Sequence, residues 1–128
     1  MRLENTVAIV TGAASGIGRE IAALFAREGA RVAIADLNQK GADAVANDFG
    51  GAKRAIGVAV DVTNEAQVDA CLAKTVAAFG QVDILVSNAG IQIVTPLEQF
   101  ELSNWKQLLA IHLDGAFLMT RACLREAG

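Results

Sequence analysis

The sequence predicts an α/β fold, in which a doubly wound parallel sheet is truncated after about four β-α units. Short apolar runs alternate along the chain with longer segments of helical spacing, and a glycine closes each of the first three helical segments. Of the 128 residues, 53% are hydrophobic and only 5% are aromatic. Strands that helices cover on both faces need such a composition, because neither face of the sheet carries polar side chains.

Four nearly continuous runs of Val, Ile, Leu and Ala are predicted to form the strands. They are residues 6–11, 31–36, 55–62 and 82–88. The segments between them are short, and crossovers of this length join parallel neighbours through a helix. We therefore expect one sheet with helices on both faces, uninterrupted by a linker or a repeat.

The segments between the strands are predicted to be helices, two of them with a clear apolar face. The first face holds Ile17, Ile21, Leu24 and Phe25, and that of the third helix holds Val68, Leu72, Val76 and Phe79. Asn64, with Gln67 three residues later, is typical of a helix start. The glycines placed to end the three helices are Gly29, Gly50 and Gly80. A fourth helix is predicted to begin at about Ser103.

Charge and hydropathy exclude several classes of protein. The net charge is −3 with mixed signs, so we expect no nucleic-acid partner. We also expect neither a membrane span nor a signal peptide, because no apolar run reaches about 18 residues and no cleavage pattern follows the first one. Cys71 and Cys123 lack metal-ligand spacing, which favours buried, reduced thiols in a cytoplasmic protein over a disulfide or a reactive thiol.

The stretch TGAASGIG, residues 11–18, joins the first strand to the first helix. Gly12 can adopt a turn conformation that is closed to other residues, and Gly16 and Gly18 allow a phosphate to approach the amide groups at the positive end of the helix. The helix dipole contributes only about 0.3–1 kcal/mol per charge, so amide hydrogen bonds must supply most of the binding. Three glycines alone would also fit a tight turn without a ligand.

Two acidic residues follow strands at the same edge of the predicted sheet. Asp36 lies 18 residues after Gly18, near the spacing at which a carboxylate binds the ribose hydroxyls of an adenosine. Asp61 can border the adenine, although a turn acid before the next helix explains it nearly as well. Strand, glycine turn, helix and acid together predict a dinucleotide site.

Asp36 also favours NAD over NADP as the cofactor. Its carboxylate would repel a 2′-phosphate, which usually needs an arginine or a lysine beside it. The obvious positions for such a cation are Ser15 and Leu37, and neither is basic. Arg19 is near in sequence but is predicted to face solvent on the first helix.

TGAASGIG resembles the TGxxxGxG fingerprint of the short-chain dehydrogenase/reductase family, and SNAG at 87–90 resembles its NNAG motif with Ser87 in place of the first Asn. The resemblance covers the whole chain and implies a Rossmann-like, NAD-dependent oxidoreductase. It also implies that Asn88, Ala89 and Gly90 steady the sheet beside the adenosine, with Ser87 structural. The predicted cofactor-binding residues are Gly12, Ser15, Gly16, Ile17, Gly18, Asp36, Leu37, Asp61, Val62, Asn88, Ala89 and Gly90.

The stretches NAGIQIVTPLEQF and WKQLLAIHLDGAFL are similar to those of bacterial 3-hydroxybutyrate dehydrogenases. This resemblance implies oxidation of D-3-hydroxybutyrate to acetoacetate, with Gln92 donating to the substrate carboxylate; a loop glutamine without that role is the alternative. Ile91, Ile93, Val94 and Leu97 fit an apolar wall of the site or the core equally well. A dehydrogenase for another secondary alcohol or sugar alcohol, and a module that binds NAD without turnover, stay open as functions.

His112 departs from the family pattern. It lies in AIHLDGAF, where the resemblance places the Asn of NxxGxF, which holds a water molecule of the proton relay. An imidazole can keep a hydrogen bond there, although a single histidine is more often structural than catalytic. We expect a structural or relay role for His112 and no direct general-base role.

The family's chemistry, as the resemblance implies it, uses a Ser, a Tyr and a Lys four residues after the Tyr, and this chain contains no tyrosine. We therefore expect residues 1–128 to be the N-terminal, cofactor-binding portion of one domain, without the catalytic portion and inactive alone. The fourth strand would then lack a fifth neighbour. The last helix is apolar around much of its surface and packs between subunits of tetramers in the family, so a homo-oligomer is expected.

Overall fold

The computed structural model describes residues 1–127, which form four strands and five α-helices. The strands are β1 (Val7–Thr11), β2 (Arg31–Asp36), β3 (Ala55–Ala59) and β4 (Ile84–Val86). The helices are α1 (Gly16–Arg27), α2 (Gln39–Asp48), α3 (Glu65–Phe79), α4 (Leu102–Leu109) and α5 (Gly115–Ala127). A short 3₁₀ helix, Leu97–Gln99, precedes α4, and a π-helical segment, Ala110–Asp114, joins α4 to α5. No helix in the described chain is long and apolar enough to cross a membrane.

The four strands form one parallel sheet in the order β3-β2-β1-β4. Strand β1 lies inside the sheet, pairing Val7 with Arg31 on one side and Ala8 with Ile84 on the other. All five residues of β1 are buried, as its continuous apolar sequence predicts. The parallel sheet of the predicted fold is confirmed.

Helices cover both faces of the sheet and create two cores. Val10 and Ile34 point to the face where α1 and α2 pack. Ile9 points to the opposite face, where it meets Leu72 of α3 and Met119 of α5. Successive strand residues point in opposite directions, so one strand contributes to both cores. This arrangement confirms the doubly wound α/β fold.

Strands β3 and β4 are clearly shorter than predicted, and β1 begins one residue later than predicted. After β3 the amide of Val60 still donates to the Asp36 carbonyl at 2.9 Å, but the Asp61 carboxylate then accepts from the Thr63 amide and the chain turns. After β4 the Asn88 amide donates to the Thr11 hydroxyl at 2.9 Å instead of continuing the ladder. At both places a side-chain oxygen accepts from a backbone amide that would otherwise bond to the neighbouring strand, and this ends the strand. The pattern of apolar residues gives no sign of such a competition.

On α3, three residues of the predicted apolar face, Val68, Leu72 and Phe79, are buried, while Val76 is half-buried and belongs to neither core. The apolar face predicted for α1 is only half right. On α1, Ile21 and Phe25 pack against the core, but Ile17 and Leu24 are 74% and 50% exposed. Ile17 belongs to the first turn of α1 and faces solvent there. Leu24 instead borders Leu3 in the N-terminal segment.

The helix ends marked by glycine, and the helix start at Asn64, lie where they were predicted. The last helix differs from its prediction. Gly29, Gly50 and Gly80 have φ values of +98°, +111° and +85°, and the Asn64 side chain accepts from the Gln67 amide at 3.0 Å. The last helix begins at Leu102, beside the predicted start, but the π-helical segment interrupts it. Such a bulge leaves the helical composition unchanged, so the sequence gives no sign of it.

Both cysteines are free thiols, as expected. Cys71 is fully buried and Cys123 is partly buried in the same core. Burial raises the pKa of the Cys71 thiol to about 11, and it also raises the pKa of the Cys123 thiol. Both sulfur atoms therefore stay protonated near neutral pH, which makes them poor nucleophiles.

Candidate functional site

The turn after β1 requires its three glycines for two different reasons. Gly12 and Gly16 have φ values of +66° and +59°, in the left-handed region that favours glycine. Gly18 is needed for space, because a Cβ there would lie 2.5 Å from both the Gly12 carbonyl oxygen and the Asn88 side-chain nitrogen. Gly18 thus lets α1 pack against the turn, a role that sequence analysis missed. A phosphate contact of its amide stays a prediction.

The first turn of α1 is open to a ligand. Ser15 is the N-cap residue, its side chain makes no capping hydrogen bond within the described chain, and no acidic residue lies in the first turn. The space beside Gly16 is open as well: apart from the adjoining residues and the backbone of α1 itself, no described atom lies within 4 Å of a Cβ built there. The first amide groups of a helix have no partner inside it, so this end of α1 suits an anionic group.

The Asp36 carboxylate is held in place at the end of β2. One oxygen, Oδ2, accepts from the Ala14 amide of the glycine turn at 3.1 Å, and Oδ1 accepts from the Asn38 amide at 3.1 Å. The residue is half-buried. Two backbone donors therefore fix the orientation of the carboxylate before any ligand arrives, and each oxygen keeps a second lone pair for a hydroxyl donor.

The residues considered as neighbours of Asp36 lie as the sequence predicted. Leu37 is 73% exposed and lies in the wall of the cavity described below. Arg19 points to solvent on α1 and pairs with Asp48 at 3.0 Å, with its side chain 46% exposed. A surface pair of this kind contributes little to stability. Its observed partner shows that Arg19 does not face Asp36.

Asp61 fits both of the interpretations that the sequence left open. Its Oδ1 accepts from the Thr63 amide at 2.9 Å and from the Thr63 hydroxyl at 2.7 Å, so it is a turn acid. It also lines the cavity, next to Val62. Val62 is almost fully buried and fills the space in which Gly115 has no side chain.

Thr11 is a site residue that the sequence analysis missed. Its buried hydroxyl accepts from the amides of Asn88 at 2.9 Å and Ala89 at 3.0 Å, and donates to the Val86 carbonyl at 3.4 Å. The Asn88 side chain adds a bond to the Gly12 carbonyl at 3.4 Å. These contacts tie the segment after β4 to the glycine turn. The signal was a hydroxyl residue at the end of a fully apolar strand.

The carboxyl ends of β1, β2 and β3 and the segment after β4 line an open cavity of about 140 Å³. This volume is smaller than the usual range of small-molecule sites, about 300–1,000 Å³. The predicted residues that meet there are Gly12, Asp36, Leu37, Asp61, Val62, Ala89 and Gly90. Ile91, considered for an apolar wall, lines it as well, and the structure adds Thr11, Ala35, Val60 and Ile111. The other predicted residues do not line the cavity: Ser15, Gly16, Ile17 and Gly18 lie at the start of α1, and Asn88 bonds to the glycine turn.

His112 reaches from the π-helical segment to the segment after β4. Its Nε2 lies 2.8 Å from the Ile91 carbonyl oxygen and 3.2 Å from the Ile91 amide nitrogen. The ring also occupies the space where Gly90 has no side chain. This placement agrees with the expected structural role, and the relay role stays a prediction.

Several residues after β4 are exposed and lie outside the cavity. Gln92 is one of them, so its contact with a substrate stays a prediction. Val94 and Leu97 are 85% and 86% exposed, and they belong neither to the cavity wall nor to the core. Of the four apolar residues considered for that wall, Ile91 lines it.

Comparison with known proteins places this geometry in context. The family model described as short chain dehydrogenase matches residues 6–127. D-threitol dehydrogenase of Mycolicibacterium smegmatis is 48% identical over 99% of this chain and 50% of its own length. Sorbitol dehydrogenase of Cereibacter sphaeroides is 42% identical over 98% of this chain and 48% of its own length. The chain thus spans about half the length of these curated relatives.

A solved structure agrees closely with the fold. The crystal structure of 3-ketoacyl-(acyl-carrier-protein) reductase from Brucella melitensis complexed with NADH superimposes with a TM-score of 0.92 at 40% identity. The superposition covers 97% of this chain and 51% of the reductase. The described fold is therefore that of about half of this reductase.

Proposed function

The chain belongs to the short-chain dehydrogenase family, and we propose that it forms the NAD-binding part of an oxidoreductase that interconverts a secondary alcohol and a ketone. The observation that carries the proposal is the Asp36 carboxylate, which two backbone amides hold at 3.1 Å each in the wall of the cavity. A carboxylate fixed there suits the two hydroxyls of an adenosine ribose. The NADH-bound relative supports a nicotinamide cofactor.

The residues present fit a dinucleotide. The adenosine would occupy the cavity beside Asp36 and Asp61, and the pyrophosphate would lie at the open first turn of α1 beside Gly16. Ala89 and Gly90 would form the opposite wall. When bound, NAD would accept a hydride from the alcohol carbon. The residues of this chain would bind and orient the cofactor and hold its adenosine against the apolar wall of the cavity.

Replacing Asp36 tests the cofactor assignment. Asp36→Ala should weaken NAD binding about 10-fold to 100-fold, because it removes the charged acceptor of two hydroxyl hydrogen bonds. NADP binding should be unchanged or improve, since the negative charge that opposes the 2′-phosphate is gone. Calorimetric titration of both cofactors measures the difference. Asp69→Ala is the matched control, because it removes an exposed acid on α3, outside the cavity. Equal losses for both cofactors would refute the assignment.

For the substrate, we propose a sugar alcohol or another secondary alcohol in preference to D-3-hydroxybutyrate. The relatives named for threitol and sorbitol support this choice. The alternative, D-3-hydroxybutyrate, depends on Gln92 as the hydrogen-bond donor to the substrate's carboxylate. This side chain is exposed and lies outside the cavity. A panel of D-threitol, sorbitol and D-3-hydroxybutyrate, assayed with the longest native protein that contains this sequence, separates the two. Turnover of only the hydroxy acid would overturn our choice.

We also propose that residues 1–128 bind NAD without turning substrate over. The support is that the chain holds no tyrosine to act as the family's acid-base group. The intact mass of the protein isolated from its source cells is the first measurement to make. A mass of 13.3 kDa would favour a binding module, whereas about twice that mass would assign catalysis to residues beyond this sequence.

Two further expectations belong to the same proposal. The reduced state of both thiols supports a location in the cytoplasm. The exposed side chains of Phe117 and Leu124 on α5, at 58% and 67%, and of Leu113 just before it, at 62%, support association into a homo-oligomer through α5. Cell fractionation and light scattering, respectively, test them.

A further inference from the structure

His112 contacts a segment of the chain that makes few other hydrogen bonds. Residues 90–96 form no helix or strand. Among the described residues, Ile91 is the only one from 90 to 95 that takes part in a hydrogen bond, and its partner is His112. Gly90 and Ile91 nevertheless line the cavity, as does Ile111, the neighbour of His112 in the chain. The imidazole is thus the polar tether of one cavity wall.

Only one of the two close contacts can be a hydrogen bond at any moment. A protonated Nε2 donates to the Ile91 carbonyl, and an unprotonated Nε2 accepts from the Ile91 amide. The carbonyl oxygen is the nearer atom, at 2.8 Å against 3.2 Å for the amide nitrogen. We assign the bond to the carbonyl on this distance. An asparagine amide carries one donor and one acceptor, and so offers either kind of bond.

The ring of His112 also explains the glycine at residue 90. A Cβ on Gly90 would overlap Cε1 of His112 and would lie 3.1 Å from each ring nitrogen. Gly90 is not among the described residues with positive φ, so the backbone itself would accept alanine. The imidazole, and not the turn, therefore requires glycine at this position.

We propose that His112 is a positioning residue that holds Gly90 and Ile91 in the cavity wall, and that Gly90 and His112 form a size-matched pair. The effect on cofactor affinity rests on the proposed function; the pairing does not. The hydrogen bond fixes where the wall lies, and the absent side chain at residue 90 lets the ring approach it. NAD would lose affinity when the tether is cut, because the wall must then be ordered at the moment of binding.

Two substitutions of His112 test the tether. His112→Leu replaces the ring by an apolar side chain of similar size, and NAD affinity should fall about threefold to tenfold, the value of one net hydrogen bond. His112→Asn restores a donor to the Ile91 carbonyl and should stay within about twofold of the original affinity. Calorimetric titration with NAD measures both. Unchanged affinity in the leucine variant, or an equal loss in both variants, overturns the tether.

A double-mutant cycle tests the size-matched pair without any cofactor. Gly90→Ala alone should lower the melting temperature clearly, because its methyl group meets the ring. In a His112→Ala background the same change should cost little, because the obstructing ring is gone. Circular dichroism measures the four melting temperatures, and additive losses overturn the pair. If the original chain binds no NAD, the proposed function fails, and this cycle still decides the pairing.

Discussion

Replacing Thr11 with valine should destabilise the fold, because the Ala89 amide would lose its acceptor and the Asn88 amide would keep only the Val86 carbonyl, at 3.1 Å. Thr11 is 1% exposed, and its hydroxyl accepts from Asn88 and Ala89 at 2.9 and 3.0 Å. Valine has nearly the same shape, so packing is kept while the acceptor is lost. The segment after β4 would then keep its position without its strongest polar contacts.

The expected magnitude follows from the burial of these amides. An amide left without a partner costs about 1–3 kcal/mol when buried, and Ala89 is only half-buried, which places the cost of its amide near the lower end. Asn88 loses the shorter of its two acceptor contacts and adds a smaller cost, so the expected loss is about 1–2 kcal/mol. The entropy of unfolding is about 2.1 cal/mol/K per residue, so for 128 residues Tm should fall by about 4–7 °C.

Urea titration followed by circular dichroism measures this loss, with Thr75→Val as the matched control. Thr75 is fully buried, but its hydroxyl donates at 2.9 Å to the Cys71 carbonyl in its own helix, so valine there leaves no amide without an acceptor. The control should lose less than about 1 kcal/mol. If Thr11→Val is no more destabilising than Thr75→Val, the account of Thr11 as a clamp is refuted.

Two further predictions concern the thiol core and α5. Burial raises the pKa of Cys71 from 9.0 to about 11, so its contribution to stability should be complete below pH 9 and be lost as the pH rises towards 11, by at most about 1.4 kcal/mol per pH unit. Urea titrations at pH 8 and pH 10 should show that the free energy of unfolding falls less between these pH values in Cys71→Ala than in the original chain. An equal fall in both proteins would contradict the raised pKa of Cys71. Phe117→Lys together with Leu124→Lys should convert an oligomer into monomers in light scattering; a monodisperse parent monomer at high concentration would argue against the interface.

Much of the fold was predictable because its signals are local. Continuous apolar runs predicted four strands, and Gly29, Gly50 and Gly80 lie where left-handed helix ends occur. The acid at the end of β2 could be placed for the same reason, since parallel strands bring their carboxyl ends to one edge. These inferences need no knowledge of distant contacts.

The features that escaped prediction depend on contacts between distant parts of the chain. The clamp at Thr11 joins residues 77 and 78 positions apart, and the contact of His112 with Ile91 spans 21 positions. The packing role of Gly18 likewise depends on Asn88. Local patterns place such residues on their elements, but they do not say which residues will meet.

The order of the strands also bears on synthesis of the chain. Strand β1 is made first, and it finds its partner β2 within about 30 residues, but its second partner β4 ends only at Val86. Until the ribosome has passed that point, the buried strand β1 has one ladder of backbone donors and acceptors without a partner. Closing the pair joins Ala8 to Ile84, 76 positions apart, which makes it a late and slow step. The edge of β1 in a nascent chain thus stays open to pairing with another chain until β4 arrives.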